Sequence, residues 1–573
     1  MDAPTTGPGR TGGRTGARTV ARTAPRAAGR APRRALRFFH RRGASRGVAG
    51  SAVWGVASAL LLGTPTPAAA QLTDETQTPE TQGEGIALSL EEQVGEGRGD
   101  VDTPGSSIYL IKRDPARSVR RGRQIFQRKF TLEQGLGPRS ERGEGDLRIH
   151  PDIGAGLADS CASCHSRPRG SAGFGGSVFT RPDGRDAPHL FGVGLQEMLA
   201  DEITRDLRAV RDEAVAEARF ALVDVKARLV SKGIDFGAVI AGPDGSVDLD
   251  RVRGVDPDLR VRPFFAEGAT ISLREFIVAA LSNELGLEAV DDDLCDATHP
   301  FDPVEVVTPS GMVLDPALDV IERPRACASF LDPDGDGVFD EIDVTLVDHL
   351  EFYLLNSFPP ALARQDERTE SGFRLMKKIG CTDCHVRNLV LERDRRAFAA
   401  EVFHLPAKAS FNQLFARISE LTEKVKDGTS PPLRQPRREP VRVRNIFSDF
   451  KRHDLGPAFH ERQFDGSLET EFLTEPLWGV GSTAPYGHDG RSVSLRQVIL
   501  RHGGEARKSR KAFQALSDVK QRRILDALGS LVLYPPDDTS SNLDRADPET
   551  EGYPQEGHGS IDLTPLFTTA GDE

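Results

Sequence analysis

Two pentapeptides constrain this chain more than any other feature: Cys161-Ala162-Ser163-Cys164-His165 and Cys381-Thr382-Asp383-Cys384-His385. They use four of only six cysteines in 573 residues. In C-x-x-C-H, two thiols a helical turn apart reach both vinyl groups of a haem while the adjacent imidazole takes the iron, so the repeated motif predicts two covalently bound haem c groups. A zinc site would have to join the pairs through thiolates and imidazoles across about 220 residues, and the chain's address disfavours it. The first 70 residues hold twelve Arg and one acid, Asp2, then a moderately apolar run from Val48 to Leu62 and Ala68-Ala69-Ala70 before Gln71. That order predicts an export signal cleaved near Ala70 and a periplasmic mature protein; the export route stays open.

The formal charge is −12, and removing 1–70 (twelve Arg against one Asp, +11) leaves −12 − 11 = −23. So acidic an exported chain argues against nucleic-acid binding and suits basic soluble partners. After 1–70 no run is apolar enough to cross a bilayer, so no stable membrane span is expected in the mature chain.

Cys295 and Cys327 have no histidine beside them, and in an oxidising compartment they read as a disulfide, with two free thiols as the alternative. Asp332, Asp334, Asp336, the Val338 carbonyl, Asp340 and Asp343 fall at positions 1, 3, 5, 7, 9 and 12 of a calcium-type loop, with Gly337 at position 6. Position 12 is Asp where such loops carry a bidentate Glu, and the alternative is an acidic solvated turn.

The two motif-bearing stretches resemble each other. "RRGRQIFQRKF" precedes the first motif and "ESGFRLMKKIG" the second; downstream, "FFAEGATISLREFIVAA" (264–280) aligns with "YGHDGRSVSLRQVILRH" (486–502). Ser494 with Gln497 reads as a capping box and Gly503-Gly504 as a stop, which makes a short helix whose apolar face carries Leu495, Val498, Ile499 and His502. The first copy carries Leu273, Phe276, Ile277 and Ala280 instead. His502 is therefore a candidate sixth ligand for the second haem, against a plain core histidine, while Ala280 leaves the first haem without one.

The expected fold is mostly α: two cytochrome c-like haem domains from an internal duplication, with a helical insertion and a calcium-loop and disulfide insertion. The expected layout is an export signal 1–70, a disordered acidic linker 71–107 and an N-terminal haem domain 108–290 containing an insertion at 195–260. An inter-domain insertion 291–365, a C-terminal haem domain 366–535 and a disordered tail 536–573 follow. Within the insertion, 195–233 reads as helix-rich and 242–264 as turns and short extended pieces. Trp478 reads as a packed aromatic or as an electron relay between the haems.

With "FTLEQGLGPRS", "SCASCH", "FSDFKRHDLGPAF" and "TEPLWGVGSTAPYGHDGRSVSLRQVILRHGGEA" in view, the chain resembles the bacterial di-haem cytochrome c peroxidases and, more closely, the peroxidase-like di-haem oxidoreductases, over roughly 115–200 and 258–535. The resemblance implies a second axial ligand at the position of His502, here imidazole in place of Met or Tyr. It also implies a catalytic glutamate beyond the helix that starts at Ser272. Glu284 matches best, with a surface helix-end carboxylate as the alternative; Gln196, Glu197 and His189 are weaker candidates. The resemblance further implies a displaceable distal histidine before Pro188, yet none lies between His165 and Pro188, so either the first haem is open or a residue such as His150 or His189 reaches it. A calcium between haem domains is implied as well, and the 332–343 loop lies between the motifs. The expected function is reduction of hydrogen peroxide with electrons from a small donor protein, a cytochrome c or cupredoxin, entering at the second haem. Oxidation of an organic or protein substrate is the rival enzyme, and a two-haem electron carrier the non-enzymatic one.

Overall fold

Gly122 and Gly372, which hold the same place in the two runs before the haem motifs, explain how the helices of this chain cross. In the computed structural model a Cβ on Gly122 would lie 2.0 Å from the His349 carbonyl oxygen, and one on Gly372 would lie 2.0 Å from that of Arg523. Any larger residue would force the paired helices apart.

The structure describes residues 89–137, 158–165, 167, 171–178, 183–327, 337–357, 359–360, 362–363, 365–403, 413–420, 423–424, 433–435, 439–463, 466–533 and 560–562. All fall in one compact unit, Thr73–Glu573. Among these residues the helices are α1 Leu90–Val94, α2 Ser107–Arg113, α3 Pro115–Gln127, α4 Cys161–Cys164, α5 Val193–Ala221 and α6 Leu273–Ala280. They continue with α7 Asp292–Ala297, α8 Val344–Leu355, α9 Glu367–Lys378, α10 Leu495–Arg501, α11 Arg507–Gln514 and α12 Asp518–Gly529. Gly122 lies at the crossing of α3 with α8, and Gly372 at that of α9 with α12.

The expectation of a mostly α pair of cytochrome c-like domains is corrected here. Eight small sheets of two or three strands are interspersed with the helices among the described residues, so the fold is mixed. The largest departure lies in the segment read as helix-rich to residue 233. Helix α5 ends at Ala221, Leu222 turns into the left-handed region at φ 57°, and Val225–Ser231 pairs antiparallel with Ile234–Ala241 around Lys232-Gly233. Val225, Ala227 and Leu229 alternate with Lys226 and Arg228, a period of two, which a strand accommodates and a helix does not.

Two apolar cores result. The larger runs from α3 through α5, α6 and α8 and takes in Trp478; Cys161 and Cys164 pack at its margin. The smaller comprises Phe373, Met376, Phe447, Phe513, Ile524, Ala527, Leu528 and Leu531, with Cys381, Leu495 and Ile499 packed against it. Each motif thus has its own core. Cys295 and Cys327 are joined by a disulfide that ties α7 to the Arg325–Cys327 turn. No described helix is long and apolar enough to cross a membrane.

Candidate haem-binding sites

Both motifs sit on single helical turns. Cys161–Cys164 forms α4, capped by the Ser160 side chain, which accepts from Ser163 N; Cys381–Asp383 forms a 3₁₀ turn after Gly380. The decisive detail is what the three candidate axial imidazoles do with Nδ1. In His165 it lies 2.7 Å from the Pro188 carbonyl, in His385 3.1 Å from that of Phe447, and in His502 2.7 Å from that of Val498. A carbonyl can only accept, so each Nδ1 donates and each Nε2 keeps its lone pair, the tautomer that iron requires. Burial pushes the pKa of all three below the ordinary histidine value, that of His502 to about 4, which keeps the lone pair free of a proton. His385 adds to the lowering at His502, so the two imidazoles lie within electrostatic reach of each other.

Helix α10 begins where its sequence says it should: Ser494 accepts from Gln497 N, and the Gln497 side chain accepts from Val493 N. His502 ends it, with non-helical backbone at φ −53° and ψ 116°. No residue of α10 is fully buried, although Leu495, Val498 and Ile499 are apolar, so the protein covers its apolar face only in part. A partly covered apolar face beside two Nε2 lone pairs and a pair of thiols is a donor set and a surface that fit a haem.

At the first motif, the residues of α6 that keep partial exposure are Phe276, Ala279 and Ala280. The helix then runs into a π turn, Leu281–Leu285, which carries Glu284. Burial, then the Glu284 carboxylate, raises the Cys164 thiol to about 11, which brings Glu284 within electrostatic reach of the first motif. Burial likewise raises Cys161 to about 12 and Cys381 to about 11. Burial thus favours the protonated form of these three thiols.

Four further described histidines are engaged by protein groups. His189 donates from Nε2 to the Trp478 carbonyl at 2.8 Å and accepts at Nδ1 from Phe191 N, which leaves no nitrogen for iron. His453 is held by Asp449 and Glu505, His460 by Asp454, and His488 stacks on Phe472 with its Nε2 3.6 Å from Glu461. Among the described residues one group, Cys384, Asp449 and His453, brings three metal-capable atoms within 4.8 Å of one another. Thioether formation at Cys384 would remove one of the three. Burial works against a charge on His453, but hydrogen bonds to Asp449 and Cys384 outweigh it and raise its pKa to about 11. Glu197 is a clamp: it accepts from Leu273 N at 2.6 Å and pairs with Arg395 at 2.5 Å. Gln196 is buried beside it on α5.

Trp478, 4% exposed, donates from Nε1 to the Arg444 carbonyl and packs over Gly192, where a Cβ would meet its ring at 2.7 Å. Its carbonyl accepts from His189, three residues after Asp186 and one after Pro188, the anchor of His165. The two sites are thereby braced through one tryptophan.

Of the calcium-type loop, Asp332, Asp334 and Asp336 lie outside the described residues, as does His150. Asp340 has φ 53°, and Asp343 accepts from Thr345 N at 2.7 Å as the N-cap of α8. The twelfth position thus spends one carboxylate oxygen on a helix cap, where the bidentate ligand of such loops would use both. The neighbouring Ile342 bridges to Ala289, just past the turn of Glu284.

Two apolar cores, three imidazoles with a free Nε2 lone pair and four thiols together make a donor set that fits haem. Residues 441–531, which contain Trp478 and His502, match the family model described as "Di-haem oxidoreductase, putative peroxidase", in agreement with the resemblance of the sequence. No curated protein matches the chain.

Proposed function

We propose that the protein is an exported, periplasmic di-haem c-type oxidoreductase that reduces hydrogen peroxide, H2O2 + 2 H+ + 2 e− giving 2 H2O. The observation that carries this reading is the asymmetry between α6 and α10: one ends on Ala280 and the other on His502, whose Nδ1 is anchored to Val498. Bound at these sites, haem c supplies one-electron transfer and, where a coordination position is open, chemistry at a small oxidant.

His385 and His502 would hold the second haem, a two-imidazole donor set suited to electron transfer, and His165 would hold the first, where Ala280 brings no ligand and would leave room for peroxide. Glu284 would hold and return the proton that moves between the two peroxide oxygens. The matched family name supports oxidoreductase chemistry at the coarser level.

Electron paramagnetic resonance of the oxidised, haem-loaded protein should give one low-spin and one high-spin signal, and His502→Ala should convert the low-spin signal to high spin. Two low-spin signals in the wild type would remove the basis for catalysis and leave a two-haem electron carrier.

A further inference from the structure

The mature chain is acidic as a whole, but its charge is not spread evenly. Between Leu495 and Arg523 there are nine Lys or Arg (496, 501, 507, 508, 510, 511, 520, 522, 523) and two acids, Glu505 and Asp518. Helix α9 carries its acids, Glu367 and Glu370, in the first turn and ends on Lys377 and Lys378, three residues before the second motif.

The fold brings these segments together. A Cβ on Gly380 would lie 3.1 Å from Ser509 Oγ, so α11 rests against the turn that opens the second motif. Phe513, four residues on, is 1% exposed and anchors α11 in the small core on which Cys381 packs. Lys377, Lys378, Arg507, Lys508, Lys511 and Lys520 are exposed on these three elements. None of the six has a carboxylate partner among the described residues.

What sets this surface apart is that these unpaired cations are gathered beside the second motif. Elsewhere in the chain several arginines are tied into ion pairs: Arg185 to Glu267 and Glu461, Arg208 to Asp319, Arg262 to Asp256 and Asp258, Arg274 to four carboxylates. The acids near the six are few. Asp383 lies beside Gly380, Asp518 sits in the first turn of α12, and Glu505 is spent on His453 and Asp454 N.

We infer that the basic face formed by the end of α9, α11 and the start of α12 is the docking surface for a small redox protein that is acidic around its own redox centre. The inference rests on the proposed function and gives the donor its chemistry. Fixed, unpaired cations around an electron-entry edge steer an oppositely charged partner and orient it on arrival, and the short-lived complexes of electron transfer need only a small interface. Each encounter passes one electron: the reduced partner is oxidised by one, and two encounters supply the pair that peroxide consumes. The overall charge alone would have pointed to a basic partner; the local face points to an acidic one.

The test uses the haem-loaded protein with two reduced probes, an acidic cupredoxin and a basic cytochrome c, and measures both affinity by titration calorimetry and the rate of haem reduction. The acidic probe should bind and react, with both quantities falling at least about tenfold between low salt and about 0.3 M salt, where charges are screened within a few ångströms. The triple variant Lys377→Glu/Lys508→Glu/Lys511→Glu should weaken it at least about tenfold more. Lys226→Glu/Arg251→Glu/Arg253→Glu, which changes net charge equally on other elements, the hairpin region, should not. Tighter binding of the basic probe, or acidic-probe binding indifferent to salt and to the triple variant, overturns the inference. So does charge-dependent sedimentation with phosphatidylglycerol vesicles in the absence of acidic-probe binding, which would make the face a membrane contact. Peroxide turnover with a small aromatic amine donor reports on the catalytic reading separately. If that turnover persists in wild type and triple variant alike while the acidic probe fails to bind, the docking assignment falls and the catalytic reading stands.

Discussion

Helices α6 and α10 start from nearly the same sequence, Ser-Leu-Arg, and end in different chemistry. Ser272 and Ser494 both cap their helices, accepting from Glu275 N and Gln497 N. Two residues on, Arg274 is wholly buried among Asp291, Asp293, Asp348 and Glu351, whereas Arg496 is exposed and donates to the Gln521 side chain alone. At the far end α6 delivers a methyl group, Ala280, and continues into the π turn of Glu284; α10 stops on His502. A shared local pattern therefore sets where each helix begins, while the tertiary surroundings decide what it presents. Helix α6 is set in a buried ionic frame and keeps a partly exposed apolar face, whereas α10 packs on a small apolar core and ends on His502.

The comparison breaks most completely if the two helix ends are made alike. Ala280→His should give the first site a second imidazole; the high-spin resonance should disappear and peroxide turnover with it. Survival of both would mean that residue 280 does not face the iron. Next in size is Glu284→Gln, which keeps shape and removes the proton carrier. Turnover should fall by about 10²- to 10⁴-fold, the usual worth of a positioned acid-base group, with both spin states unchanged. Equal turnover would reduce Glu284 to a surface carboxylate.

Much of this contrast could be read from sequence because it is local. The cysteines and adjoining histidines, the serine caps and the Ala280/His502 difference are all properties of short windows, and the paired glycines 122 and 372 stand inside the two runs that resemble each other. What escaped the sequence is what only tertiary structure assembles. The carboxylates around Arg274 come from positions 291 to 351, and the carbonyls that set the tautomers belong to Pro188 and Phe447, far along the chain from His165 and His385. The hairpin at 225–241 was masked differently: its alternation follows directly on a 29-residue charged helix whose pattern overran it. The basic face was hidden by summing charge over the chain, since it joins three segments against the sign of the total.

The two arginines sharpen the comparison in stability. Arg274→Met strands buried carboxylates that lie within 3.3 Å of the guanidinium, and breaking such a cluster costs about 3–5 kcal/mol. Arg496→Met removes one surface hydrogen bond, and surface substitutions of this kind stay within about 0.5 kcal/mol. Denaturant midpoints of the two variants should separate clearly; equal losses would show that the ionic frame carries no special weight.

The smallest effect concerns pH and again belongs to the first site. His349 on α8 is fully buried, with Nδ1 2.9 Å from Ser118 Oγ, and burial, with Arg121 adding to it, lowers its pKa to about 3. The fold therefore favours the neutral ring. Its contribution is fully present above the unfolded value of 6.5 and is lost as pH falls from there toward about 3, because the unfolded chain takes up the proton first. One proton gives a slope of at most about 1.4 kcal/mol per pH unit. In the haem-loaded protein the proposed iron ligands would not titrate in this range, so this term would be seen apart from theirs. His349→Asn can keep a hydrogen bond to Ser118 but cannot titrate, and between pH 6.5 and 5.5, where the unfolded ring goes from half to mostly protonated, it should lose about 1 kcal/mol less than the wild type. Parallel curves would mean that His349 stays neutral in both states or is reached by water, and that the acid limb of the molecule arises elsewhere.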